Sequence, residues 1–428
     1  MANLQPPNPN PYWINLMSSR RDFLKTSALV SMGASTVPGF LATTARASQD
    51  AKSNEKILVV VQMLGGNDGL NTVVPHGLDG YSNARRALRV PTGQIQKITA
   101  EIGLHPSLGG IGKLLENNKL SILQGIGYPN PDRSHFRSME IWETARTESG
   151  ALETGWLGRA LDAAPPKAGG DLPALHVGNR GSLLAFKAKK ADVPSLESLE
   201  QYRLQVTGDA ATKRASRDAI DGVARLDRGD DPLLGFVRRS TLAAYDSSKR
   251  LEALAEKPSG ATKYPNFGLA RRLELVAKII KAGFNTRIYY TALDGFDTHA
   301  NQAATHGALL TELSDSIAAF HADLTAAGQA DRVAILSFSE FGRRVAENAS
   351  AGTDHGAAAP AFLIGPVAKP GLVGDHPKFD DLDDGDLKHH TDFRRVYAGL
   401  LEGWLGMPSE PVLGKGFAPL PLFAAKMG

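Results

Sequence analysis

Six acidic and histidine residues in this sequence have side chains and positions that suit a metal site. They are Asp68, Asp297, His299, Glu340, Asp354 and His355. The chain contains no cysteine, so its candidate metal donors are carboxylate oxygens and imidazole nitrogens. We expect zinc, with manganese, magnesium, calcium or iron as alternatives, and one or two ions. Two ions about 4 Å apart would stabilise the attacking and leaving oxygens in phosphoryl or sulfuryl transfer.

Ser134 is the candidate nucleophile. It opens a predicted helix after the turn-rich segment GIGYPNP, and the amide groups at a helix amino end favour an anion. A metal would lower the pKa of its hydroxyl enough for attack on an ester. Ser138, one turn further, is the rival, and His135 is expected to support the site or to act as leaving-group acid.

Arginine side chains near these residues could hold a tetrahedral anion through paired hydrogen bonds. The candidates are Arg343, Arg133 and Arg137. Arg343 stands beside Arg344, and such a pair is more often solvated than bound to an anion.

Simpler explanations apply to the other candidates as well. Ser134 has the residue type of a helix cap. Asp297 and His299 are also typical of turns and caps, and Asp354-His355 is also typical of a surface loop. What favours a shared site is that Asp68, Asp297, His299 and Glu340 each follow a predicted strand and that Ser134 opens a helix after another.

Those apolar segments predict buried strands that alternate with helices. Predicted strands cover residues 57–61, 120–124, 174–177, 183–186, 286–292, 332–338 and 360–364. Predicted helices cover residues 107–118, 132–145, 233–255, 269–282, 303–326 and 392–405. This alternation predicts an α/β fold, a doubly wound, mostly parallel sheet with helices on both faces. Residues 208–282 are expected to form a helical insertion. The carboxyl ends of parallel strands meet at one rim, where ligands bind.

The amino-terminal residues have the pattern of an export signal. The segment SRRDFLK begins at Ser19, an apolar run covers residues 26–41, and Ala45-Arg46-Ala47 is a small-x-small cleavage pattern. This pattern predicts a twin-arginine signal peptide over residues 1–47 and a single domain over 48–428. The twin-arginine translocase is then a partner during export, and the protein is expected to be periplasmic or secreted.

Charge and hydropathy exclude two other classes of partner. Gly33 and Pro38 interrupt an apolar run that is too short to span a bilayer, so no stable membrane anchor is expected. The whole chain is formally +3, and residues 1–47 carry four basic residues against one acid. The remaining chain is formally neutral, which gives no support for nucleic-acid binding. Oligomeric state is not indicated.

Several segments together resemble one bacterial family, catalogued as a domain of unknown function (DUF1501). They are VQMLGGNDGLNTVVP, YPNPDRSHFRSMEIWET, LDGFDTHANQ, SFSEFGRR and GTDHGAAAPAFLIG, together with the twin-arginine leader. The resemblance covers about residues 56–406. That family looks like a branch of the alkaline phosphatase and sulfatase superfamily, whose members are esterases with one or two metals on a doubly wound sheet.

The resemblance assigns a role to each candidate. It implies Asp68 as the first-strand acid, Ser134 as the nucleophile, Asp297 and His299 as ligands from a middle strand end, Glu340 as a later strand-end acid and His355 as the last histidine. The chain departs from the superfamily at Glu340-Phe341, where an Asp-His pair is usual, and it lacks the sulfatase Cys/Ser-x-Pro-x-Arg motif.

The function expected from these residues is an exported, metal-dependent hydrolase of phosphate or sulfate esters that uses Ser134 covalently. Its substrate would be a small-molecule or polymer ester. The alternative is an exported binding or envelope-assembly protein without catalysis on a hydrolase-like fold. Tight metal binding with turnover of an aryl ester distinguishes the first from the second.

Overall fold

The computed structural model describes residues 55–148, 153–163, 173–178, 183–191, 193, 195–196 and 262–424. The expected signal peptide, the predicted helix at 233–255 and most of the expected insertion lie outside the described residues.

Short and long strands both occur in the described chain. In order they are β1 Ile57–Leu64, β2 Val73–Val74, β3 Gln96–Lys97, β4 Gly103–Leu104, β5 Leu120–Gly127, β6 Ala174–Val177, β7 Ser195–Leu196, β8 Ile288–Asp294, β9 Val333–Ser339, β10 Ala359–Ile364, β11 Gly371–Val373, β12 Leu382–Asp383, β13 Asp386–Leu387 and β14 Thr391–Asp392.

Helices separate most of the long strands. They are α1 Gly69–Thr72, α2 Asp79–Ala84, α3 Gly109–Glu116, α4 His135–Thr144, α5 Trp156–Ala163, α6 Gly268–Lys281, α7 Gln302–Ala326, α8 Phe393–Ala398 and α9 Glu410–Leu413. Short 3₁₀ turns cover Thr92–Gln94, Pro106–Leu108, Leu184–Phe186 and Ala330–Arg332, and a π-helical segment, Gly399–Leu405, continues α8.

The main sheet of the described chain is mostly parallel. Its strand order is β11-β5-β10-β9-β1-β8-β6-β7, and β14 also pairs with β5. Only β10 runs antiparallel to its neighbours, β5 and β9. The amino end of β10 therefore lies at the same rim as the carboxyl ends of β1, β5, β8 and β9.

Both faces of the sheet are covered, as the continuous apolar run in β1 predicts. Every residue of β1 is buried. Val59 and Val61 pack into one core with apolar residues of α3, α6 and α7, and Leu58 and Val60 pack into the opposite core with residues of α4, α5 and α8. The predicted fold class, a doubly wound α/β sheet, is confirmed.

Two predicted elements differ from the structure. Residues 183–186, predicted as a strand, form a 3₁₀ turn at Leu184–Phe186 with buried apolar side chains. A short apolar run is compatible with a strand or with a helical turn, because it indicates burial and not pairing in a sheet. The terminal helix predicted over 392–405 changes from α to π at Gly399. Within the described residues, no helix is long and apolar enough to span a membrane.

Candidate metal centre

Four loops meet at one rim of the sheet. They follow β1, β5, β8 and β9, and the loop after β9 leads at this same rim into β10, because β10 is reversed. The contact between the loops after β1 and β8 is very close. A Cβ atom on Gly65, whose φ is +116°, would lie 2.4 Å from the backbone nitrogen of Asp297. Only glycine permits this approach.

Three histidine rings direct their Nε2 atoms at one carboxylate oxygen, Oδ1 of Asp297. The distances to that oxygen are 3.0 Å from His299, 3.1 Å from His355 and 3.5 Å from His135. The Nε2 atoms of His299 and His355 are 2.9 Å apart. We call His135, Asp297, His299 and His355 the four-residue cluster.

Each ring is oriented by an oxygen at its other nitrogen. His135 Nδ1 lies 2.9 Å from Glu340 Oε1, His355 Nδ1 lies 2.7 Å from the Arg133 carbonyl oxygen, and His299 Nδ1 lies 3.3 Å from Asp354 Oδ1. Each Nδ1 can donate to its oxygen, and this contact turns the opposite nitrogen, Nε2, towards Asp297. Metal-bound histidines in proteins are held in the same way.

The cluster fits a divalent cation on two observations. The Nε2 atom of His135 is buried and makes no hydrogen bond to the described residues. The Nε2 atoms of His299 and His355 lie 2.9 Å apart, so two imidazole nitrogens face the same point beside Asp297. Three imidazole nitrogens and one carboxylate oxygen suit zinc or iron better than magnesium or calcium, which prefer oxygen ligands.

Electrostatics keep Asp297 ionised. Burial by itself would raise the pKa of this carboxyl, but hydrogen bonds from Arg343 and His355 outweigh it and hold the pKa at about 2. The hydrogen bond to Glu340 raises the pKa of His135, and burial lowers the pKa of His355. The Asp297 carboxylate is thus negatively charged, and the surrounding imidazole rings of His135 and His355 differ in basicity.

The sequence model of the family described as "Protein of unknown function (DUF1501)" matches residues 121–399. The chain belongs to this family. The family expected from the sequence motifs is therefore confirmed. No curated protein matches the chain in sequence.

Several solved structures are similar to this DUF1501 protein at low identity. The lipoteichoic acid synthase of Listeria monocytogenes is 11% identical with a TM-score of 0.36, covering 85% of this chain and 80% of that one. A protein in the alkaline phosphatase superfamily from Vibrio parahaemolyticus is 10% identical with a TM-score of 0.37, covering 92% and 78%. The alkaline phosphatase of the Antarctic bacterium TAB5 is 11% identical with a TM-score of 0.31, covering 73% and 92%.

Glu340 and Asp354 lie behind the cluster and not in it. The Glu340 carboxylate is buried, and besides His135 it accepts from the Gly65 amide at 2.9 Å and the Ser339 hydroxyl at 3.0 Å. Asp354 is exposed and accepts from Asn348 Nδ2 at 3.2 Å. Both carboxylates contact histidine nitrogens, and their expected roles as metal ligands stay predictions. His135, expected to support the site, lies in the cluster.

The carboxylate of Asp68 is engaged by two other side chains. Arg85 donates to its two oxygens at 2.6 and 3.1 Å, and Gln302 donates at 2.5 Å. Asp68 and Arg85 are both fully buried. Burial raises and the neighbouring guanidinium lowers the pKa of Asp68, and the net shift is downward. An acid paired in this way anchors its loop, and the expected role of Asp68 as a metal ligand stays a prediction.

Arg343 connects several loops through its guanidinium group. It is buried. Its guanidinium donates to the carbonyl oxygens of Gly65, Gly66, Phe296 and Thr353 and to Asp297 Oδ1. The side chain therefore orients Asp297, and its expected role of holding an ester anion stays a prediction. Its neighbour Arg344 pairs with Asp384 at 3.1 Å.

The two candidate serines are in opposite environments. Ser134 is exposed at the amino end of α4, and its hydroxyl makes no capping bond; its amide instead donates to Asp132 Oδ1 at 2.8 Å. Ser138 is buried, with its hydroxyl 2.9 Å from the Tyr128 hydroxyl and 2.6 Å from the Glu340 carbonyl oxygen. Ser138 thus fixes α4 against the end of β9, and Ser134 precedes His135 of the cluster.

Four other residues beneath the rim are not among the predicted site residues. They are Asn67, Arg85, Gln302 and His306. His306 is fully buried, its Nε2 lies 2.9 Å from Asn67 Oδ1, and burial lowers its pKa to about 4. Asn67 and Gln302 lie within family-like segments and Arg85 and His306 lie outside them, but the partners that define the contacts of these residues are mostly distant in sequence.

Proposed function

We propose that this DUF1501 protein is an exported, metal-dependent hydrolase of phosphate or sulfate esters with Ser134 as nucleophile. One observation carries the proposal: three imidazole Nε2 atoms converge on Asp297 Oδ1, and one of them, on His135, is buried without a hydrogen bond. Imidazole nitrogens and carboxylate oxygens are ligands that zinc prefers in proteins.

The four-residue cluster would hold one ion. A divalent ion bound there supplies a Lewis acid for ester oxygens and lowers the pKa of a nearby hydroxyl. The carboxylates of Glu340 and Asp354 would orient His135 and His299, respectively, for metal binding. Since Asp68 is occupied by Arg85 and Gln302, we infer a single ion and not the pair that the sequence left open.

Two features favour Ser134 as the nucleophile. Its side chain is exposed, and its hydroxyl makes no capping hydrogen bond at the amino end of α4. Its Oγ would form a bond to phosphorus or sulfur as the bond from that atom to the ester oxygen breaks. The hydroxyl proton would pass to water, and water would protonate the leaving alkoxide. Water would then break the Oγ bond, release phosphate or sulfate and restore the hydroxyl. His135 is not proposed as the leaving-group acid, because its Nδ1 contacts Glu340 and its Nε2 would bind the ion.

The non-catalytic alternative is favoured by one observation. The three arginines expected to hold an anion are engaged elsewhere. Arg343 bonds loop carbonyls, Arg133 pairs with Asp384 and Asp386, and Arg137 pairs with Glu140. A binding protein would keep the metal and lack turnover.

Elemental analysis of the exported protein with a panel of aryl phosphates and sulfates tests the proposal. We expect about one zinc or iron ion per chain, turnover of one ester class, and a loss of about 10³-fold or more in kcat for Ser134→Ala. Ser350→Ala, at an exposed serine on the same rim, is the matched control and should keep its activity.

Each outcome of this panel has a distinct meaning. Near-normal turnover by Ser134→Ala would refute covalent catalysis and leave attack by water. Bound metal without any turnover would favour the binding protein. Wild-type protein that binds no divalent metal would refute the metal site itself.

A further inference from the structure

Gln302 connects three loops below the cluster through one side-chain amide. It is the first residue of α7 and is fully buried. Its Nε2 donates to Asp68 Oδ2 at 2.5 Å. Its Oε1 accepts from the hydroxyl of Thr298 at 3.1 Å and from that of Thr353 at 2.6 Å. Loops after β1 and β8 and before β10 thus share one anchor.

The two threonines are placed next to the metal donors. Thr298 lies between Asp297 and His299 in the chain, and Thr353 lies two residues before His355. A backbone hydrogen bond, from the Thr353 amide to the Thr298 carbonyl oxygen at 3.2 Å, joins the same segments. Gln302 therefore bridges the segment that carries two donors and the segment that carries a third.

An amide is the one group that satisfies these partners. The Asp68 carboxylate accepts hydrogen bonds from Arg85, so a further polar neighbour has to donate to it. The hydroxyls of Thr298 and Thr353, in contrast, can both donate to one acceptor. The amide supplies both from a single plane. A carboxylate in its place would face Asp68 as a second negative charge, and an aliphatic side chain would leave buried polar groups unpaired.

We propose that Gln302 is a positioning residue for the metal, setting the separation between Asp297 with His299 and His355. This inference rests on the metal site of the proposed function. Residues that orient metal ligands from outside the coordination sphere typically contribute about 10- to 100-fold in metal affinity. Gln302 is expected to act at that level although it touches no ligand side chain.

The test is cobalt(II) titration of the full exported chain, freed of metal, followed by visible absorption and by competition with a chromophoric chelator. We expect Gln302→Leu to weaken cobalt binding by about 10- to 100-fold and to alter the cobalt spectrum. Thr353→Val, which removes one hydroxyl, should weaken binding by a smaller factor. Thr311→Val is the matched control, because its hydroxyl bonds Gly307 within α7, away from the cluster.

Rescue separates positioning from general stability. The double variant Asp68→Asn with Gln302→Glu exchanges amide and carboxylate and keeps an acceptor for both hydroxyls, so it should recover part of the affinity lost in Gln302→Glu alone. Wild-type affinity and spectrum in folded Gln302→Leu would overturn the proposal; if that variant does not fold, unchanged affinity in Thr353→Val would do so.

Failure of the proposed function gives a different result. Cobalt binding that depends on Gln302, in a protein that hydrolyses no ester, would refute hydrolysis and support positioning. Ester turnover with cobalt affinity that ignores Gln302 would refute positioning alone. Wild-type protein that binds no cobalt would overturn both.

Discussion

Breaking the buried Asp68–Arg85 pair should destabilise the protein strongly. Arg85→Met removes two hydrogen bonds to Asp68 and two more to the carbonyl oxygens of Arg344 and Val345, at 2.7 and 2.6 Å. Both partners are fully buried, so the variant leaves a carboxylate without its counter-charge. Removing one partner of such a pair costs about 3–5 kcal/mol of unfolding free energy.

Urea unfolding of the mature chain measures this cost. The matched control is Lys119→Met, whose partner Asp331 is 3.5 Å away and 89% exposed; pairs of this kind contribute about 1 kcal/mol or less. The double variant Asp68→Asn with Arg85→Met buries no unpaired charge and should be more stable than Arg85→Met alone.

Repeating the measurement in the presence of a chelator tests whether Asp68 anchors its loop or binds the metal. If Asp68 anchors its loop, Asp68→Asn lowers the unfolding free energy to the same extent with and without metal. A ligand would contribute only when metal is bound, because ligand binding stabilises the native state by mass action. A loss that disappears in the chelator, or an Arg85→Met variant as stable as the control, would refute the reasoning.

Three further predictions follow. His299→Ala should lower bound metal and melting temperature together, measured by elemental analysis and calorimetry; full metal content in the variant would contradict its place in the cluster. Burial holds the pKa of His306 at about 4, below its ordinary 6.5. The neutral ring therefore contributes about 3 kcal/mol of unfolding free energy above pH 6.5, and this contribution is lost as pH falls towards 4. Unfolding free energies measured from pH 7 to 4.5 should fall less steeply in His306→Gln than in the wild type, and equal slopes would refute this. Replacing both Arg20 and Arg21 by lysine should leave uncleaved precursor in the cytoplasm, as fractionation with immunoblotting would show. Normal export of this variant would contradict twin-arginine transport.

Local patterns in the sequence determined the strands and the rim. The apolar run that became β1 is buried on both faces, and such a run has few alternatives to a central strand. The positions of Asp297 and His299 after β8 follow from the same logic, because polar residues at the ends of parallel strands reach one edge. These features depend on neighbours in the chain and can be inferred from it.

Partners distant in sequence decided the roles within the site. Asp68 and Glu340 are both acids after buried strands, yet one is held by Arg85 and the other orients His135 from 205 residues away. Acidic residues in similar positions thus make different contacts, because the pairing of buried charges is set by packing and not by spacing. The reversal of β10, which brings His355 to the rim from before its strand, is likewise a property of the folded sheet.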